Sequence, residues 1–211
     1  MVKAIDYGKE ASELSPNAVI VWESLGMIYR DIQVFVDGAT DWAIDSFEKA
    51  IEFEGKNPII HTELGKLYLA LDDKEKAKQS FTRAKELKSD YVDALIQEAL
   101  LYEKDGDIDT ALNQMEELAG AYPLSIDTQF HLGRLYFNSG ESNKAIIQFE
   151  AIISIVPNHS NSLYSLGVAY AAIGEKEKAI SIFEKVLELN PANQDIVNKL
   201  EELKNPKESE E

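Results

Sequence analysis

Apolar and small residues return along this chain at one fixed interval. Tyr68, Tyr102, Tyr136 and Tyr170 stand 34 residues apart, as do Ala77, Ala111, Ala145 and Ala179. Around each tyrosine the chain reads His61, Leu64, Gly65, Tyr68; Leu95, Glu98, Ala99, Tyr102; Gln129, Leu132, Gly133, Tyr136; and Leu163, Leu166, Gly167, Tyr170, with an earlier copy at Trp22, Leu25, Gly26, Tyr29. Spacings of three, one and three put each set on one stripe of a helix. A second stripe follows each time: Ala43, Phe47, Ala50; Ala77, Phe81, Ala84; Ala111, Met115, Leu118; Ala145, Phe149, Ile152; Ala179, Phe183, Val186. Small Gly on the first helix is expected opposite small Ala on the second, with Tyr and Phe filling the ends. The period predicts a stack of helical hairpins, each too small to fold alone.

The breaks between helices agree. Gly106, Gly140 and Gly174 fall just past the first helices, where a left-handed residue closes a helix, and Asp72 takes that place in one copy. Pro16, Pro123, Pro157 and Pro191 recur where second helices must stop.

With these residues in view, the chain resembles the tetratricopeptide repeat family. The first copy carries the family's Trp-x-x-Leu-Gly-x-x-Tyr and Ala-x-x-x-Phe-x-x-Ala pattern at Trp22, Leu25, Gly26, Tyr29, Ala43, Phe47 and Ala50, and five complete copies run in register. The resemblance implies an all-α fold, a right-handed α-solenoid of antiparallel helix pairs with about 12 helices. It also implies a protein-interaction role in which the first helices line a concave groove.

Two copies depart from the pattern. Tyr29 to Ala43 is 14 residues where Tyr68 to Ala77 is 9, so five extra residues lie within Asp31 to Thr40. The run Ile32-Gln33-Val34-Phe35-Val36 is too apolar for a solvated turn. Either the first helix runs on, or the segment folds back on the stack. The favoured reading is the longer helix, ending near Asp37-Gly38. In the third copy Glu98-Ala99 replaces Leu-Gly and Met115 replaces Phe, so less regular packing is expected there.

The ends suggest the domain organisation. Residues 1–15, with Ala4, Gly8, Ala11 and then Pro16, read as a half repeat consisting of a second helix alone. It either caps the stack or leaves an apolar flank for self-association. Residues 16–204 form one repeat array, closed by a capping helix at 192–204 with Ile196, Val197, Leu200 and Leu203 inward. Residues 205–211 read as a disordered acidic tail.

Charge narrows the partners. The chain has 38 acidic against 21 basic residues, a formal net charge of −17, and no Lys/Arg stripe with interleaved aromatics. Such an excess repels phosphate backbones and anionic headgroups, so neither nucleic acid nor direct membrane binding by this segment is expected. There is no cysteine. No apolar run of about 18 residues and no secretory signal is present, so a soluble chain is expected, with the cytoplasm favoured.

Candidate chemistry is sparse. His61, His131 and His159 fall in three different copies, and His61 takes a core position. No His-Glu-x-x-His, phosphate-cradling loop or nucleophile elbow occurs, and neighbouring carboxylates such as Glu116-Glu117 diverge around a helix. The chain is therefore expected to be non-catalytic, with no metal site and no cofactor.

The groove positions are more informative. Along the first helices they begin mixed and acidic, with Glu23, Glu63, Lys66 and Asp93, and then gather Ile96, Leu100, Phe130, Phe137 and Tyr164 around Arg134, Asn138 and Asn161. These eight residues are the candidate peptide-binding surface: apolar side chains supply energy and amides fix a backbone. The lysine and asparagine clamp by which similar family members hold chaperone-tail carboxylates is missing in every frame, since Glu23, Met27, Glu63, Asp93 and Gln97 stand in the first. The expected function is a scaffold that takes a peptide or partner segment in its groove. The alternative is a structural, self-associating module forming the soluble part of a larger protein, whether or not that protein is membrane-anchored, with the N-terminal half repeat making a homo-oligomer.

Overall fold

The computed structural model describes residues 2–205. Among them are twelve helices and no strand: α1 (Val2–Leu14), α2 (Val19–Ile32), α3 (Ala39–Phe53), α4 (Pro58–Ala70), α5 (Lys74–Leu87), α6 (Val92–Lys104), α7 (Ile108–Ala121), α8 (Ile126–Asn138), α9 (Ser142–Ile155), α10 (Ser160–Ala172), α11 (Lys176–Leu189) and α12 (Gln194–Lys204). The Ala4 side chain and nearly all of the acidic tail, residues 206–211, lie outside this description. Two compact units divide the chain, Met1–Leu101 and Tyr102–Glu211, and the division falls inside α6.

In the first unit α1 packs on α2, α2 pairs with α3, α3 meets α4, and α4 pairs with α5. In the second, α7 meets α8, the pairs are α8 with α9 and α10 with α11, and α12 closes on α11 through buried Ile196 and Leu200. The core is the two stripes the sequence marks: Ala43, Ala77, Ala145 and Ala179 are fully buried together with Phe47, Phe81, Phe149 and Phe183.

The turns follow from one device. Asp72, Gly106, Gly140 and Gly174 have φ of 62°, 84°, 85° and 79°. The next backbone N–H reaches back to a tyrosine carbonyl: Asp73 to Tyr68 (2.8 Å), Asp107 to Tyr102 (2.9 Å), Glu141 to Tyr136 (2.8 Å) and Glu175 to Tyr170 (3.0 Å). This satisfies a carbonyl that the helix end leaves open and turns the chain into the second helix. Asp73 and Asp107 then cap α5 and α7 through their carboxylates. Pro16, Pro123, Pro157 and Pro191 each stand two residues past a second helix.

The insertion corrects one expectation. α2 does not run on to Asp37 but stops at Ile32. Gly38, at φ 79°, lies 34 residues before Asp72, so the extra residues all precede it, as a turn over 33–37. Ile32 is buried and Val36 packs on the core, while Val34 and Phe35 are 83% and 77% exposed. Ile32 and Val36, at the two ends of the apolar run, find cover while Val34 and Phe35 between them do not, so the extra residues close as a turn held to the core at its ends.

The close approach also differs from expectation. Each first-helix glycine faces the phenylalanine of its hairpin rather than an alanine. A Cβ added at Gly26, Gly65, Gly133 or Gly167 would lie 2.5, 2.4, 2.7 or 2.6 Å from the ring of Phe47, Phe81, Phe149 or Phe183. In the third copy Ala99 and Met115 are both fully buried, and Glu98, standing where the other copies have leucine, is held by Lys85 at 2.5 Å.

Three tyrosines are tied to the preceding second helix. Tyr68 donates to Glu48 at 2.7 Å and Tyr136 to Glu116 at 2.6 Å, and Tyr170 donates to Glu150. Lys76, Lys144 and Lys178 lie over the same rings at 5.0, 4.9 and 5.3 Å. Burial, then the carboxylate bond, pushes all three phenols up, Tyr170 to about 12.

Candidate partner-binding face

Residues spaced by three and four on the first helices stand clear of the hairpin core, so each unit presents a first-helix face. On the first unit this face is an ion-pair ladder. Arg30 bonds Glu63 at 2.6 Å, Lys66 bonds Glu63 at 2.9 Å, and Lys66 bonds Asp93 at 2.7 Å. Gln97 donates to Asp93, and Asn57 to Glu23. Burial lowers the Lys66 ammonium, but its bonds to Asp93 and Glu63 outweigh that and leave it above its ordinary value; Arg30 behaves likewise beside Glu63 and Asp31. The charges that read as open in the sequence are largely spent on one another.

The second unit is built differently. Phe130, Arg134 and Phe137 fall on one stripe of α8 by their spacing, and all three are half-buried. Phe130 is wedged among rings, 5.9 Å from Phe149, 5.8 Å from His131 and 6.0 Å from His159. Arg134 grips Glu103 with both terminal nitrogens, at 3.0 and 2.6 Å, and Asn138 donates to the same carboxylate at 2.8 Å. α10 lies beside α8. It contributes exposed Asn161 and half-buried Tyr164, whose hydroxyl donates to Asp195 at 3.0 Å and whose ring stands edge-on to Phe183 under the Lys199 ammonium.

Of the eight expected residues, six therefore sit on α8 and α10 in the second unit, while Ile96 and Leu100 belong to the first. Ile96 corrects the expectation: it is buried, only 3% exposed, although it stands in register with Phe130 and Tyr164. A short branched side chain is covered where longer rings protrude. Leu100 is half-buried. Glu103 fixes Arg134 and Asn138, and nothing in the period marks it as their partner.

The histidines serve packing. His61 is buried with Nε2 3.1 Å from the Gly55 carbonyl, and His159 caps α10, its Nδ1 accepting from the Ser162 N–H. Among the described residues no group of three His, Cys, Asp or Glu side chains is placed to hold a metal ion, and no helix is long and apolar enough to cross a membrane.

Comparison with known proteins follows the same lines. Sequence profiles described as tetratricopeptide repeat match residues 60–91, 96–160 and 160–193. No curated protein matches significantly in sequence. Among solved structures, a tetratricopeptide repeat protein from Parabacteroides merdae superposes with a TM-score of 0.79 at 20% identity, over 96% of this chain and 77% of that one. YrrB, a TPR protein with an unusual peptide-binding site, gives 0.57 at 19% identity, over 93% and 98%. The APC/C hetero-tetramer Cut9–Hcn1 gives 0.78 at 15% identity over 93% of this chain, which spans only 38% of that one. The recurring tyrosines, the Gly-on-Phe hairpins, the left-handed turns and these profile matches converge, and the chain belongs to the tetratricopeptide repeat family.

Proposed function

We propose that this protein is a non-catalytic interaction scaffold and that its second unit takes a peptide or partner segment across α8 and α10. One observation carries the reading: Phe130, Arg134 and Phe137 share a stripe of α8, where Phe149 braces one ring and Glu103 holds the guanidinium. Aromatic and arginine side chains already fixed in place lose little entropy on binding, which is what an anchor site requires. Arg134 keeps donors beyond the two engaged by Glu103, and exposed Asn161 and half-engaged Asn138 offer amides to a peptide backbone. The peptide-binding site of YrrB lies on the same fold, which supports the class of function but not the position. The net charge of −17 favours a protein partner over nucleic acid.

The test is a displayed peptide library panned on the chain, with the selected binders then measured by calorimetry against Phe137→Ala and Arg134→Ala. Affinity should fall about tenfold or more in at least one variant while the helical signal is kept. Unchanged affinity in both removes this face.

A second reading, self-association through the N-terminal flank, is supported by Tyr7 and Leu14 on α1, which are 66% and 78% exposed. Light scattering over a range of concentrations separates the two: a strict monomer ends this reading and leaves the first untouched.

A further inference from the structure

The first hairpin breaks the pattern that three later tyrosines share. Twenty residues before Tyr68, Tyr136 and Tyr170 stand Glu48, Glu116 and Glu150, each accepting from the tyrosine hydroxyl. Twenty residues before Tyr29 stands Lys9. The lysine over each later ring immediately precedes the buried alanine of the second helix; before Ala43 the chain has Trp42 instead, 5.5 Å from the Tyr29 ring. Where the other hairpins hold a carboxylate, this one holds a cation, and where they hold a cation it holds an indole.

The exchange leaves a pocket of about 270 Å³ in the first unit, among α1, α2 and α3, lined by Lys9, Trp22, Tyr29, Trp42, Asp45 and Lys49. The Lys9 ammonium lies 5.9 Å from the Trp42 ring and Lys49 lies 5.1 Å from the Trp22 ring. Neither lysine forms an ion pair among the described residues. Two cations thus face one carboxylate, Asp45, between aromatic walls, in a chain whose net charge is −17.

We propose that this pocket binds a glutamate or aspartate side chain of an acidic partner peptide, at a site independent of the α8 and α10 face. The later hairpins show what the position accepts: a carboxylate that takes the tyrosine hydroxyl hydrogen beside a lysine. Here the protein supplies the phenol and the ammonium groups and leaves the carboxylate to the ligand. The indoles cover the methylenes of the incoming side chain and exclude water, which strengthens the charge-assisted bonds. Binding is electrostatic in its selectivity, so it weakens with salt.

The chain's two tryptophans are Trp22 and Trp42, so tryptophan emission reports on this pocket alone. The probe is acetyl-Glu-Glu-Leu-Phe-Glu-Glu-amide, beside its counterpart with Gln for every Glu and the free-acid form of that counterpart. The Glu peptide should give a saturable emission change, with the Gln amide about tenfold weaker or more. Lys9→Glu installs the carboxylate that the later hairpins carry, so it should lose the response while melting at or above the parent temperature. Lys49→Gln should weaken binding without abolishing it. No saturable change, an equal response from the Gln amide, or an undiminished response in Lys9→Glu overturns the proposal. A response from the free-acid Gln peptide matching that of the Glu peptide overturns it too, by assigning the pocket to a chain terminus.

Discussion

Arg134 and Glu103 close on each other through two parallel bonds of 3.0 and 2.6 Å, joining α8 to the last turn of α6. The Glu103 side chain is 16% exposed, so the pair is shielded on one side and open on the other. Bidentate geometry lifts it above an ordinary surface pair, and the partial exposure of Arg134 caps its worth. A double-mutant cycle on Glu103→Ala and Arg134→Ala, read by urea unfolding, should give a coupling of about 0.5–1 kcal/mol. A coupling near zero means the contact does not order the face.

The glycines facing phenylalanine give a sharper test. At Gly65 an added Cβ would sit 2.4 Å from the Phe81 ring, and that ring is enclosed on every side. Gly65→Ala should therefore cost about 1–3 kcal/mol, part of which is recovered when Phe81→Leu is added. Gly120→Ala is the control: nothing lies within 4 Å of a Cβ there, and the residue is helical. Removing that glycine's excess unfolded-state entropy should leave stability unchanged or raise it by up to about 1 kcal/mol. If the two variants unfold alike, the tight packing of α4 on α5 is not what the glycine provides.

What was legible in the sequence is what the packing repeats. Tyr68, Ala77 and Phe81 recur because each hairpin solves the same burial problem, and Asp72 sat in a glycine series because the turn geometry asks the same of every copy. What was hidden depends on single meetings. The run from Ile32 to Val36 is apolar enough for a helix or a folded-back turn, and only three-dimensional cover decides that Ile32 and Val36 go in while Val34 and Phe35 stay out. Arg134 read as an open cation because its partner Glu103 lies 31 residues back, out of step with the period of 34. The exchange of Lys9 for glutamate was visible in the letters, but it carried no meaning until Tyr68, Tyr136 and Tyr170 were seen to share one acceptor geometry.

Gly140 makes a different demand from Gly65. A Cβ there would meet nothing within 4 Å, yet φ is 85°. The cost of Gly140→Ala is thus conformational and should come to about 1–2 kcal/mol. Gly140→Asn should recover a good part of it, since Asn tolerates the left-handed region. Equal loss in both variants would point to crowding rather than backbone strain.

Alkaline pH probes the tyrosine bonds. Burial and the bond to Glu150 hold the Tyr170 proton up to about 12, whereas an unfolded tyrosine releases its own near 10. Above pH 10 the unfolded chain binds fewer protons than the folded one, so the contribution of Tyr170 is full below 10 and fades as pH rises toward 12. Tyr68 and Tyr136 act in the same sense. Urea unfolding followed from pH 9 to 12 should show a decline that is shallower in Tyr170→Phe; an identical slope would remove the bond from the account.

Acid pH probes His61 with the opposite sign. Its ring is buried against the Gly55 carbonyl; burial, together with the Arg83 charge and in spite of that bond, holds its pKa below the ordinary 6.5. Between 6.5 and the lowered value the unfolded chain binds the proton and the folded chain does not. The stability owed to a neutral His61 is therefore complete above pH 6.5 and drains away as pH falls through the lowered pKa. The side chain fills a position where the other copies place Trp22, Leu95, Gln129 and Leu163, so His61→Gln keeps a polar group within reach of Gly55 and removes only the titration. Thermal midpoints measured from pH 7.5 down to 5 should fall less steeply for His61→Gln than for the parent chain, because carboxylate protonation below that range is common to both. Parallel curves would mean that the ring takes up its proton in the folded state as readily as in water, and that the burial seen around it does not resist charge.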